Sequence, residues 1–196
     1  MNTQGRCFLL IVVLVVMLSG CLGSIWTGAN LVYTRHTLYE KVEDFSLSTR
    51  AYKLLYTDKL LKQPGCYLDL AVFNDDLLVA GHVPNIELRK LVEHRLKDMS
   101  GYRKMYIQVA ISDDLSNGVV DTWITTKIRG KIIADSTINP DVFKIITVDS
   151  IVYVMGDAQA SQASRVLNIA KNTDRVVRVV KLLKYYNLSK TPAPYK

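Results

Sequence analysis

Hydrophobic positions along the chain follow two spacings in turn, one of three to four residues and one of two, and the whole succession occurs twice. The run Leu70–Gly81 returns as Ile145–Gly156 at a constant offset of 75. Each copy is apolar and rich in strand formers, is broken by Asn74-Asp75-Asp76 or Asp149-Ser150, and closes on glycine, which predicts a β-hairpin. The glycine is expected to end the second strand where a side chain would obstruct the turn into a helix. Ahead of the hairpins, Ala51, Leu54 and Leu55 in one copy and Ile124, Ile128 and Ile132 in the other fall on one helical face. Asp121 is expected as the N-cap of the second of these helices, with Ser48 in the same place in the first. After the hairpins, Leu88, Leu91, Val92 and Leu96 match Ala163, Val166, Leu167 and Ala170 at helical spacing, and alternating strands follow at Met105–Val109 and Val179–Leu183. The predicted order is α-β-β-α-β twice, an α+β architecture in which each unit packs two helices on one face of a three-stranded mixed sheet.

The first residues carry a different pattern. An unbroken 12-residue apolar run, Cys7 to Leu18, follows the lone Arg6 and ends in Ser19-Gly20-Cys21. It falls short of the roughly 20 residues a spanning helix needs. A cation, a short apolar core and a small-residue ending read as an export signal. The cysteine directly after Leu-Ser-Gly makes the segment resemble a bacterial lipoprotein signal, which implies cleavage before Cys21 and acylation of its thiol. The expected layout is a signal over 1–20, a lipidated tether over 21–45, a first domain over 46–112, a linker over 113–118, a second domain over 119–188 and a tail over 189–196.

Composition then narrows the partners. An apolar content of 49% with 22% charged residues belongs to a folded protein. The net charge of +7 favours an acidic partner. For an exported chain that points to anionic phospholipid and away from nucleic acid. Once Cys7 is removed and Cys21 acylated, Cys66 is the remaining thiol, without an internal partner and expected to serve as a small apolar residue.

The run Asp121 to Arg129, followed by the hairpin ending at Gly156, resembles the second BON domain (bacterial OsmY and nodulation domain) of dual BON-domain outer-membrane lipoproteins. Residues 46–111 resemble a more diverged first BON domain, with Arg50 expected where the second has its tryptophan. The resemblance implies two tandem BON domains in a protein without enzymatic activity. It would be anchored at the periplasmic face of the outer membrane and bind anionic phospholipid, chiefly phosphatidylglycerol. It also implies support of outer-membrane integrity at the division site, with the β-barrel assembly machinery as a protein partner. Leu22 after the lipidated cysteine suits outer-membrane sorting. Carried over by position, lipid contact falls on Trp123. Lys127 lies one helical turn away, and Thr122, Thr126 and Lys131 complete the expected phospholipid-binding set. An indole beside an ammonium suits the headgroup layer, and a basic residue there contributes roughly 1 kcal/mol.

Other constellations carry less. His36, His82 and His94 have no carboxylate or cysteine at ligand spacing, so neither metal nor cofactor is expected. His82, just past the hairpin glycine, is expected on a solvated turn, and Asp75-Asp76 on another. Arg175 to Lys181 reads as a half-buried strand with a charged outer face before it reads as a phosphate-binding stripe. No nucleophile stands beside a base. The alternative reading is an interaction scaffold for envelope or β-barrel assembly machinery, acting through a sheet edge or the first domain without a direct lipid role.

Overall fold

Ten principal elements realise the predicted order in the computed structural model, which describes residues 31–113 and 117–186, with side chains from residue 41 onward. They are α1 (Leu31–Tyr56), β1 (Tyr67–Phe73), β2 (Asp76–Val83), α2 (Ile86–Leu96), β3 (Lys104–Ile111), α3 (Gly118–Ala134), β4 (Phe143–Val148), β5 (Ile151–Ala158), α4 (Ala160–Lys171) and β6 (Arg178–Tyr185). The chain divides into two units, residues 1–38 and 39–196. Everything that follows concerns the second. The signal, Cys21, Trp26 and the tail beyond residue 186 lie outside the described residues, as does the middle of the linker.

Each half of this unit builds the same sheet. The hairpin pairs antiparallel, β1 with β2 and β4 with β5, and the crossover helix returns the chain to a third strand parallel to the hairpin's second. The strand orders are therefore β1-β2-β3 and β4-β5-β6. Leu47, Ala51 and Leu55 of α1 join Leu88, Val92 and Leu96 of α2 over one face of the first sheet. Ile124, Ile128 and Ile132 of α3 join Ala163, Val166 and Ala170 of α4 over the second.

The other faces of the two sheets pack against each other. Ala71, Leu78 and Ala80 form one buried cluster with Val148, Tyr153, Met155 and Leu182. This accounts for the sequence of β2 and β5: both are buried on two sides and read as nearly continuous apolar runs, not as alternating ones. The resulting layers are helices, sheet, sheet, helices, so α1 and α3 face outward from opposite sides of the sandwich.

Several expectations need correction, beginning with Asp121. Asp121 is not an N-cap; Asn117 is, accepting from the Val120 N–H at 3.1 Å. The buried Asp121 carboxylate instead accepts the backbone N–H groups of Asp149 at 2.9 Å and Ser150 at 2.8 Å. Both residues of that two-residue turn have positive φ, the geometry of a tight hairpin turn. Asp44 does the same for Asn74 and Asp75 at 3.0 and 2.9 Å. Asp44, not Ser48, is thus the partner of Asp121, and the helices correspond at an offset of 77. Leu47, Ala51 and Leu55 then match Ile124, Ile128 and Ile132, and the counterpart of Trp123 is Ser46, not Arg50, which matches Lys127. Ser48 lies inside a 26-residue helix, its hydroxyl donating to the Phe45 carbonyl. The segment expected as tether is helical from Leu31. Truncating Asp121 to alanine leaves two part-buried turn N–H groups without their acceptor and should lower stability by about 1–3 kcal/mol, read by chemical denaturation.

The hairpin glycines do not end their strands, which run on for two residues. They sit where the partner strand's backbone comes too close for a side chain. His82 follows in the strand and is 3% exposed, its Nδ1 2.8 Å from Asp149 Oδ2 of the other half. Asp76 is likewise buried, gripped by Arg103, which also holds Asp157 across the halves.

Candidate functional site

Helix α3 turns its isoleucine stripe inward, and what remains on its far side is unusual for a solvated surface. At roughly 100° per residue, Val119, Trp123, Thr126, Gly130 and Ile133 share an arc of about 80° opposite the core. Val119 is 83% exposed, Ile133 70% and Trp123 42%. A side chain at Gly130 would meet nothing within 4 Å, so packing does not require a glycine there. Lys127 and Lys131 flank this arc on one side and Arg129 on the other.

The indole is held by two cations. Lys127 Nζ lies 4.5 Å from the ring centroid and Arg175 Cζ 5.7 Å from it, both within cation–π reach. Lys127 also pairs with Asp174 at 2.9 Å, and the ammonium holds that carboxyl below the usual carboxylate range. Arg175 sits at φ +66°, a left-handed conformation that a non-glycine residue adopts at a cost. The turn before β6 thereby brings its guanidinium over a tryptophan fifty-two residues away in sequence. Sequence reasoning placed Arg175 on a strand and missed it; the signal was the pairing of α3 with the turn after α4, which only the fold supplies.

Of the five residues expected to contact lipid, the structure brings Trp123 and Lys127 together. Lys131 points along the same turn, its Nζ 3.5 Å from Thr173 Oγ1. Thr122 donates its hydroxyl to the Gly118 carbonyl at 2.7 Å, a bond internal to the helix. Thr126 stands exposed in the outer arc. Cys66 is part-buried against the first core, and burial pushes its thiol up, away from nucleophilic use. Among the described residues no three His, Cys, Asp or Glu gather as a metal cluster, and no helix is long and apolar enough to cross a membrane.

The BON domain family matches residues 120–187. The chain is 24% identical over 176 residues to the outer membrane lipoprotein DolP of Haemophilus influenzae, covering 87% of this chain and 91% of that one. It is 25% identical over 147 residues to a 21 kDa hemolysin of Actinobacillus pleuropneumoniae, covering 74% and 75%. Among solved structures, CdsD, a structural protein of the type III secretion system of Chlamydia trachomatis, aligns over 72% of this chain and 92% of that one. Its TM-score is 0.30 at 8% identity, a likeness too loose to bear on the fold. The BON family model thus covers α3 to β6, half of the sandwich, and the chain resembles outer membrane lipoproteins of the DolP type.

Proposed function

We propose that this chain is a lipid-anchored, non-catalytic protein of the outer membrane's periplasmic face that binds anionic phospholipid, phosphatidylglycerol above all, through the outer face of α3. The observation that carries it is the exposed arc of Val119, Trp123 and Ile133 rimmed by Lys127, Lys131 and Arg129. An apolar strip between basic margins, with an indole at its edge, is how a helix lies in a headgroup layer. The strip is small and binds weakly alone. An acylated Cys21 would raise its effective concentration at the bilayer, so a modest affinity suffices. The first half, which repeats the αββαβ topology without the tryptophan, reads as a second, diverged BON domain. Support of outer-membrane integrity at the division site would follow from this placement.

The test is flotation of the purified chain with vesicles containing phosphatidylglycerol. Trp123→Glu is expected to lower the bound fraction at least tenfold, since it puts an anion in the apolar strip beside anionic lipid. Undiminished flotation of that variant removes α3 as the site. The scaffold reading draws on a separate feature: Val42, Phe45 and Tyr52 stand exposed on the outer face of α1. Cross-links from those positions to the β-barrel assembly machinery, with flotation intact, would favour it.

A further inference from the structure

The two halves differ most where they should be most alike, in the space between the first helix and the turn before the last strand. In the second half the Trp123 indole occupies it, Lys127 is neutralised by Asp174, and Arg175 closes over the ring. At the matched positions of the first half stand Ser46 for the indole, Arg50 for Lys127, Ser100 for Asp174 and Gly101 for Arg175. Gly101 keeps the left-handed backbone, φ +84° against +66°. A side chain there would begin 2.9 Å from an Arg50 guanidinium nitrogen, so the glycine makes room for that group.

An open cleft of about 850 Å³ lies beside Arg50, between the C-terminal part of α1 and the turn after α2. Loss of the carboxylate leaves Arg50 unneutralised. The cleft is lined by four cations, Arg50, Lys53, Lys59 and Arg95, against Asp58 and Asp98. Asp58 is committed to Arg95 at 2.8 Å, and among the described residues no carboxylate pairs with Arg50, Lys53 or Lys59. Cations often gather at a helix C-terminus to complement its dipole. That accounts for Lys53 in the last turn of α1, but not for Arg50 a turn earlier or Lys59 beyond the end.

We infer that this cleft is a second binding site, for a phosphate-bearing anion, in which Arg50 and Lys53 take the phosphate and the Ser100 hydroxyl donates to it. Arg presents a planar fork that matches phosphate oxygens, and Ser100 places a donor where the other half has a competing carboxylate. The same chemistry is presented by an anionic lipid headgroup and by a free phosphate ester.

The test follows the backbone N–H signals of Ser100 and Gly101 by NMR on the full chain in neutral detergent, titrated with sn-glycerol 3-phosphate. Both signals are expected to shift saturably. Arg50→Glu is expected to weaken the response at least tenfold. Ser100→Asp, which installs the carboxylate of the other half on an exposed turn, is expected to do the same without loss of fold. Trp123→Glu, which removes the α3 strip, is expected to keep the response, so this site and that of the preceding section fail independently. Phosphatidylglycerol vesicles are the second arm, read on the Trp123→Glu chain: vesicle binding that falls further with Arg50→Glu assigns the site to lipid headgroups, and its absence assigns it to soluble phosphate esters. If neither probe shifts Ser100 and Gly101, or if the shifts survive both Arg50→Glu and Ser100→Asp, the inference is overturned.

Discussion

Replacing Gly81 with alanine is expected to cost the protein most or all of its folded population. A Cβ at this position would lie 1.9 Å from the Tyr67 carbonyl oxygen, and the partner atoms are backbone, so no rotamer change relieves the overlap. The residue also has φ +141°, a conformation that L side chains rarely adopt. Relief requires β1 and β2 to move apart at the Leu68–Gly81 pair, in the middle of a strand buried on both faces. Such a shift disturbs the helix-covered core through Val79 and Val83 and the inter-sheet core through Leu78 and Ala80. A cost above about 4 kcal/mol is expected, a large part of the 5–15 kcal/mol typical of a domain. At roughly 2–4 °C per kcal/mol for a unit of this size, the midpoint in a circular-dichroism melt should fall by about 8–16 °C or the transition should vanish. Gly130→Ala, in open space on α3, is the control and should hold or raise the midpoint. A Gly81→Ala protein that melts like the parent would show that the strands are not held this close.

That glycine illustrates how far the sequence could be read. The duplication, the αββαβ order and the hairpins were legible because they depend on local spacing: a run of strand formers, a two-residue turn, a glycine at a fixed distance. The registration of the first helix was not. Ser48 satisfies a capping rule on paper, whereas the residue that matters, Asp44, acts on a turn thirty residues away. Exposed Val42 and Phe45 added apolar positions that blurred the helical period of α1. His82 read as a turn residue because it follows the hairpin glycine; Asp149, the partner of its buried imidazole, belongs to the other half. At the candidate site Trp123 and Lys127 were visible as a one-turn pair, while Arg175 and Asp174 depend on α4 delivering the chain back beside α3. In each case the legible part is a contact within a few residues and the hidden part is one the tertiary fold brings in.

The same distinction governs the second large effect, Arg103→Met. Arg103 follows Gly101 in the turn before β3, and its backbone N–H donates to Asp75 at 2.7 Å. Its guanidinium forks onto both oxygens of Asp76 at 2.8 Å and onto Asp157 of β5 at 2.8 and 3.0 Å, with Asn74 Nδ2 adding 3.3 Å to Asp157. One side chain thus neutralises a buried carboxylate of its own hairpin and ties the first sheet to the second. Methionine keeps much of the aliphatic length but strands Asp76, which is 7% exposed, without a counter-charge. Leaving one member of a buried pair alone costs about 3–5 kcal/mol. The loss should also change how stability depends on pH. Burial raises the Asp157 carboxyl, but hydrogen bonds from Arg103 and Asn74 outweigh it and hold the group below its usual range. A depressed folded-state value means stabilisation that is present above the unfolded carboxylate pKa, near 4, and lost as pH falls through the folded one. The parent should therefore lose this contribution below about pH 4, whereas Arg103→Met, having lost it already, should show a flatter acid limb in denaturant midpoints measured from pH 7 to pH 3. A variant destabilised at neutral pH by less than about 1 kcal/mol, with an unchanged acid limb, would mean that the apolar cluster between the sheets holds the halves together without this latch.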